Sequence, residues 1–451
     1  MKLKLCLTGM WYEFTGMFNL RDEDSKGRLI NLGSNSIAAL YNVFITGLFY
    51  TGYLTMYGMT VTDAGILSMI PFIGNLFSVF SSRFLGNLRR RKPVLLGAKF
   101  LFYFLYIIAT NLMPLVVTDT RARMLWFSAI LLVAHVVYAP FAPGITLWFY
   151  RFYPADNESR AQYLLTVQMI SSAVSCVMVI ISSLVADAVS GSAFQNELIM
   201  IFRYTAFVLV LADLFLQSRA KEYDVEKERP LKLREVVTLP FRYKKFIGCM
   251  MIMFVYNFAN LNGGMWSYHL LNDIGLSYTV LNLSTPTYIL MFFLTAGWWR
   301  KVLRRYSWVK TCGISILMLA VMEIPWFAMT AETKWIYLPF IIVANFVSVG
   351  VNLSYTNILY LNLPEEDSTS HLAFNTLGCN LFSMLSLLLG TWITAMGGEG
   401  TLRMFGIDVY PVQTTCLVRM VILLVLGAVM ILRWQDFSNE RDIWEVTERS
   451  R

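Results

Sequence analysis

Twelve apolar runs, each close to the length of helix that crosses a hydrocarbon layer, dictate most of what this chain can become. They fall at about 36–57, 64–85, 93–113, 124–149, 162–186, 198–217, 243–269, 278–299, 308–329, 335–360, 371–395 and 414–434. A bilayer core needs about 20 mostly apolar residues in helical form. Inside lipid only a helix or a closed barrel satisfies every backbone polar group, and these runs are too long for barrel strands. The expectation is an all-α membrane protein of twelve transmembrane helices. Composition agrees, with 57% hydrophobic and only 15% charged residues, where a soluble domain carries about 25% charged.

A net charge of +8 invites a nucleic-acid reading, but the cations stand in short blocks between apolar runs. That pattern belongs to a membrane interface, and no nucleic-acid partner is expected. With both termini placed inside, all but six of the 37 Lys and Arg fall in inner segments; the exceptions are Arg121, Arg123, Arg203, Lys334, Arg403 and Arg419. This predicts a multi-pass plasma-membrane protein with cytoplasmic termini. The six cysteines are scattered, without Cys-x-x-Cys or metal-ligand spacing. Neither disulfides, a metal nor a cofactor is expected. The opening "MKLKLCLTGMWYEF" lacks the apolar core of a cleavable signal, so the mature chain is expected to begin at residue 1.

The chain also repeats itself. "NLRRRKPVLL" (87–96) and "VLRRYSWVKT" (302–311) carry Leu-Arg-Arg triplets 215 residues apart. At that offset Tyr41-Asn42 falls on Tyr256-Asn257, and Pro71 on Pro286. At an offset of 210, "YPADNESRAQY" from Tyr153 falls on "LPEEDSTSHLA" from Leu363. Six spans per copy give both copies one orientation, a parallel repeat about the membrane normal. The predicted organisation is a first half over 1–217 with a tail at 1–35, a mixed-charge linker at 218–242, a second half over 243–434, and a tail at 435–451.

Twelve helices in two parallel halves, with a basic loop after the second and eighth spans and a charged linker, resemble the major facilitator superfamily. The family's local mark between the second and third spans is G-x-x-x-D-R-x-G-R-R/K. Here Arg91 and Lys92 stand at its two final basic positions, Asn87 at its acid, and Arg83 and Arg90 at its glycines. Val302 is the second-copy counterpart of Asn87. In the family the acid–base cluster holds an inner gate. With the acid missing, anchoring to anionic headgroups is the preferred reading of Arg91 and Lys92 over gating, and Arg304 and Arg305 are the corresponding motif residues of the second copy. "FYTGYLTMYG" (49–58) resembles a bacterial branch associated with carbohydrate uptake.

The resemblance implies a solute held at mid-membrane between the halves, lined by the first, fourth, seventh and tenth spans. Each of those spans carries polar residues on one helical face. They are Asn42, Thr46, Tyr50 and Tyr53; His135 and Tyr138, with Ala142 and Thr146; Asn257, Asn260 and Tyr268, with Gly264; and Asn345, Ser348, Asn352 and Tyr355. Gln168 with Ser171, Ser172 and Ser175, and Asn375 with Asn380, extend the set, and Trp266 or Trp148 could stack on a sugar ring. Unpaired amides in hydrocarbon cost about 2–7 kcal/mol, so such stripes face a cavity or one another. Interhelical packing is the alternative for any single residue.

No Asp, Glu, Lys or Arg lies in the four stripes, which favours a small neutral polar solute such as a sugar or glycoside. His135 and Glu323 are the coupling candidates, with H+ or Na+ as the coupled ion. Pro71 and Pro286, and Pro140 with Pro143, are expected bends that let a bundle move. A monomer is expected. Competing readings are efflux of lipophilic compounds, suggested by 15% aromatic residues and 24 methionines, and a non-transporting sensor or scaffold. A membrane enzyme is disfavoured because three histidines on separate spans form no catalytic motif.

Overall fold

The computed structural model describes residues 17–437 except 19, 21, 87, 89, 224–232, 365–367 and 399. Among these, twelve helices are long and apolar enough to cross a membrane: Glu23–Met56, Val61–Gly86, Lys92–Val116, Thr120–Tyr150, Gln162–Ala188, Phe194–Ser218, Lys244–Asp273, Tyr278–Leu303, Trp308–Phe327, Lys334–Leu361, Ser368–Met396 and Pro411–Leu432. Each expected run lies on one of them. The first begins earlier than its apolar run, inside the expected tail. Asp22 caps it by accepting the Ser25 amide at 3.1 Å. Residues 23–35 are helical because their polar groups find partners in the bundle: the Asn31 amide donates to the Tyr163 hydroxyl at 2.6 Å, and Gly27 leaves the room that the Phe152 ring fills.

The chain divides into two compact units, Met1–Tyr57 with Phe80–Pro230, and Gly58–Val79 with Leu231–Arg451. Residues 58–79, expected in the first half, thus group with the second unit. They pack on the eleventh and seventh spans, where the bare Cα of Gly65 makes room for Thr391 of the one and Met265 of the other. Ser68 Oγ accepts the Gly264 amide at 3.2 Å, and Asn75 donates to Asn380 at 3.3 Å.

Apolar cores hold each unit separately. In the first, Tyr41, Phe44, Ile45, Ile107, Ala206 and Val210 close one cluster, and Leu85, Leu95, Trp148, Phe149 and Phe152 another. In the second, the seventh, ninth, tenth and twelfth spans meet around Cys249, Met253, Cys312, Ile316, Val351 and Leu423. A short hairpin, Leu402–Met404 paired with Ile407–Val409, sits before the last span. Its Val409 packs with Phe327 and Cys416.

Several spans are interrupted. The first breaks at Thr46, whose hydroxyl folds back onto the Asn42 carbonyl at 2.7 Å, and restarts at Gly47 with φ +59°. The seventh breaks after Phe258 and restarts at Gly263 with φ +44°. These two left-handed glycines lie within one residue of the repeat offset. The fourth breaks between Tyr138 and Ala142, as its prolines predict. Pro71 sits inside Val61–Leu76, a turn before a 3-10 segment at Phe77–Phe80. The eighth breaks at Leu283, and Pro286 lies in the first turn of the helix that follows. π-helical turns interrupt the third span at Phe104–Ala109 and the seventh at His269–Asp273.

Candidate solute-binding site

In the first unit, the fourth-span residues meet an aromatic wall from the third span. Tyr138 stacks on Phe102 with ring centroids 4.8 Å apart. His135 stands edge-on to Phe102 at 5.0 Å and to Tyr106 at 6.2 Å. Tyr50 stacks on Tyr106 at 6.0 Å. Tyr50 and His135 thus share the neighbour Tyr106, and His135 and Tyr138 the neighbour Phe102, and all three are half-buried. Phe102 and Tyr106 are additions from the third span, which is not among the four that the resemblance names. Their signal is present in "FYFLY" (102–106), a cluster of aromatics reaching a π turn that re-aims side chains.

Tyr53 belongs elsewhere. It is fully buried, its hydroxyl donates to the Thr110 carbonyl at 2.9 Å, and the Arg203 guanidinium lies 3.8 Å from its ring centroid. It packs inside its own unit. Asn42 and Thr46 are exposed. Gln168 is exposed too, and its amide donates to Ser172 at 3.0 Å.

In the second unit, one amide gathers three helices. Asn257 donates to the Met253 carbonyl at 2.8 Å and to the Tyr355 hydroxyl at 2.7 Å, and accepts from Ser383 at 3.3 Å. Asn352, exposed, donates to the Tyr288 hydroxyl at 2.7 Å. Asn345 is buried and donates to the Ser284 carbonyl at 3.1 Å, so it ties the tenth span to the eighth. Ser348 turns back on the Ala344 carbonyl. Asn375 is buried and accepts from Cys379. Asn260 is exposed in the seventh-span break, and Tyr268 is half-buried beyond it. Tyr288 and Ser383 are additions that no stripe pattern on four spans reveals. Trp266 packs against Trp326 at 5.5 Å, in the cluster beside the hairpin. Trp148 is buried and donates to the Lys221 carbonyl at 2.8 Å. Both indoles pack within their own units.

Three ionic groups lie within the spans. Glu323 is buried 3.4 Å from Arg419, a pairing of the ninth and twelfth spans. Lys99 and Asp213, 7% and 0% exposed, pair at 2.7 Å. Asp213 also accepts from Ser34 at 2.6 Å, Gln217 at 3.2 Å and Tyr41 at 3.4 Å. Arg203, 1% exposed, donates to Asn111 at 2.6 Å, and to Thr110 and the Tyr106 carbonyl at 2.8 Å. Lys99, Arg203 and Arg419 therefore leave the loop tally used for orientation. A lone charge in an apolar run demands a partner, which is the signal that links Lys99 to Asp213.

The basic motif also acquires partners. Glu222, beyond the sixth span, accepts the Lys92 amide at 2.9 Å, and Lys92 Nζ donates to the Ala220 carbonyl at 2.7 Å. The start of the third span is thus held to the end of the sixth. Asn87 lies outside the described residues, as does the side chain of Arg304; Arg305 is exposed beside Tyr306.

Residues 32–386 match the model of the Major Facilitator Superfamily. A search of curated protein sequences finds no match. Among solved structures, a point mutant of the nucleoside transporter NupG superposes with a TM-score of 0.67 at 13% identity, covering 91% of this chain and 99% of that one. A bacterial homologue of the iron transporter ferroportin gives 0.68 at 13%, covering 92% and 98%. The xylose transporter XylE from E. coli gives 0.62 at 10%, covering 92% and 96%. At such identities the likeness is one of fold.

Proposed function

Because this chain belongs to the major facilitator superfamily, we propose that it is a secondary carrier that moves a small, uncharged, ring-bearing polar solute across the plasma membrane by alternating access. Sugars, glycosides and nucleosides form the class. The observation that carries the reading is the uncharged character of both polar groups: Asn257–Tyr355–Ser383 with Asn352–Tyr288 in the second unit, and Tyr50, Tyr138 and His135 on an aromatic wall in the first. Amides and hydroxyls recognise sugar hydroxyls, and aromatic faces cover the apolar side of a ring. The ionic groups within the spans do not compete for this role, since Lys99 pairs with Asp213, Glu323 with Arg419, and Arg203 donates to Asn111, Thr110 and the Tyr106 carbonyl. Structural neighbours that carry nucleosides and xylose fit this class, although others carry metals.

His135 is the proposed proton site, because Glu323 is tied to Arg419 whereas His135 meets only aromatic edges in the contacts above. The test is uptake by the purified protein in vesicles. Competition by neutral glycosides or nucleosides is the expected outcome; competition by organic anions or lipophilic cations alone overturns it and favours efflux of lipophilic compounds.

A further inference from the structure

The first unit holds a second polar feature that transport of a neutral solute leaves unused. Between the start of the third span, the end of the fourth and the segment after the sixth lies a cavity of about 210 Å³. Arg91, Lys92 and Arg151 line it with Trp148, Tyr150 and Glu222. Among the described lining residues three are cations and one is a carboxylate, which accepts the Lys92 amide. Arg91 Nε is buried and has no hydrogen-bond partner in the structure. The first turn of the Lys92–Tyr103 helix adds its positive dipole end to the same place. Lys92 Nζ lies 5.8 Å from the Trp148 ring centroid, so one wall of the cavity is aromatic under a cation. Leu147, also lining it, and Tyr150 remain half exposed, which makes the mouth apolar.

We propose that this cavity binds a phosphate group, presented either by an anionic phospholipid headgroup or by a free phosphorylated molecule. Guanidinium groups match phosphate geometry and charge. An occupant would tie together three helix ends, two of which Lys92 and Glu222 already draw toward each other. The inference rests on the first unit alone and is independent of which solute the carrier moves.

The experiment uses the full chain in neutral detergent, with melting temperature and native mass spectrometry as readouts. Phosphatidylglycerol, phosphatidylcholine, inorganic phosphate and glycerol 3-phosphate are each titrated. Stabilisation by phosphatidylglycerol alone identifies a lipid occupant; stabilisation also by the free phosphates identifies a soluble one. Arg91→Gln with Arg151→Gln weakens apparent affinity by at least about tenfold, as loss of charge-assisted bonds requires. Arg151→Gln alone, at an exposed position, gives a smaller loss in the same direction and guards against misfolding of the double variant. Arg300→Gln with Lys301→Gln, which removes two cations from the other basic segment, leaves binding intact. Equal stabilisation by phosphatidylcholine and phosphatidylglycerol, or equal loss in the 91/151 and 300/301 variants, overturns the proposal.

Discussion

Asn257 and Tyr53 are equivalent on sequence, each one polar residue in a stripe on a span. Their surroundings separate them. Asn257 joins Tyr355 and Ser383 from two other helices, so Asn257→Ala strips both hydroxyls of a partner. Solute affinity should fall at least about tenfold, measured by calorimetric titration, with a loss of about 1–3 kcal/mol in stability. Tyr53→Phe removes only a bond to a backbone carbonyl and should leave solute affinity unchanged at a cost of about 1 kcal/mol. The Lys99–Asp213 pair answers to a different rule. Lys99→Ala leaves a carboxylate buried without its counter-ion and should cost about 3–5 kcal/mol, whereas Lys99→Met with Asp213→Leu should come close to neutral. Ser34 and Gln217 still have each other in that double variant, at 2.6 Å. Thermal melts of the three proteins check the order. For coupling, His135→Gln should flatten the pH dependence of uptake, and Glu323→Gln should mainly destabilise by leaving Arg419 unpaired; an unaltered pH profile in His135→Gln removes that residue from the mechanism.

At the scale of the element, the spans themselves were legible because length and apolarity alone demand them. Their interruptions were legible only where proline announces them, as at Pro140. The breaks at Gly47 and Gly263 escaped, since glycine is common in membrane helices and only its positive φ marks it. An L-residue there adopts a left-handed conformation at about 1–2 kcal/mol. Gly47→Ala should show that backbone cost alone, because a Cβ meets nothing within 4 Å. Gly263→Ala should cost more, since its Cβ runs into the Leu387 side chain. Melting curves read the difference. If these joints serve alternating access, turnover falls in both variants while solute affinity holds. Gly390 teaches the same lesson on packing: a Cβ there presses on the Leu261 carbonyl, in the seventh-span break, and no apolar pattern records that closeness.

For the whole molecule, the repeat was readable because its markers recur in order, and the family match over residues 32–386 bears out the resemblance. The polar stripes of the candidate site were readable on four spans; the partners they meet, Phe102, Tyr106, Tyr288 and Ser383, stand on the third, eighth and eleventh. Contacts between helices depend on rotation and tilt, which a one-dimensional pattern does not carry. Ligand screening reads the molecule at this scale: a bound solute should raise the melting temperature by an amount that grows with its concentration relative to Kd.

The ion pair of Lys99 and Asp213 has a consequence for how the protein is made. Its halves are separated by 114 residues, so the ribosome delivers the ammonium well before the carboxylate. The pair therefore closes only after the sixth span has been made, and the third span enters the bilayer before its counter-ion exists.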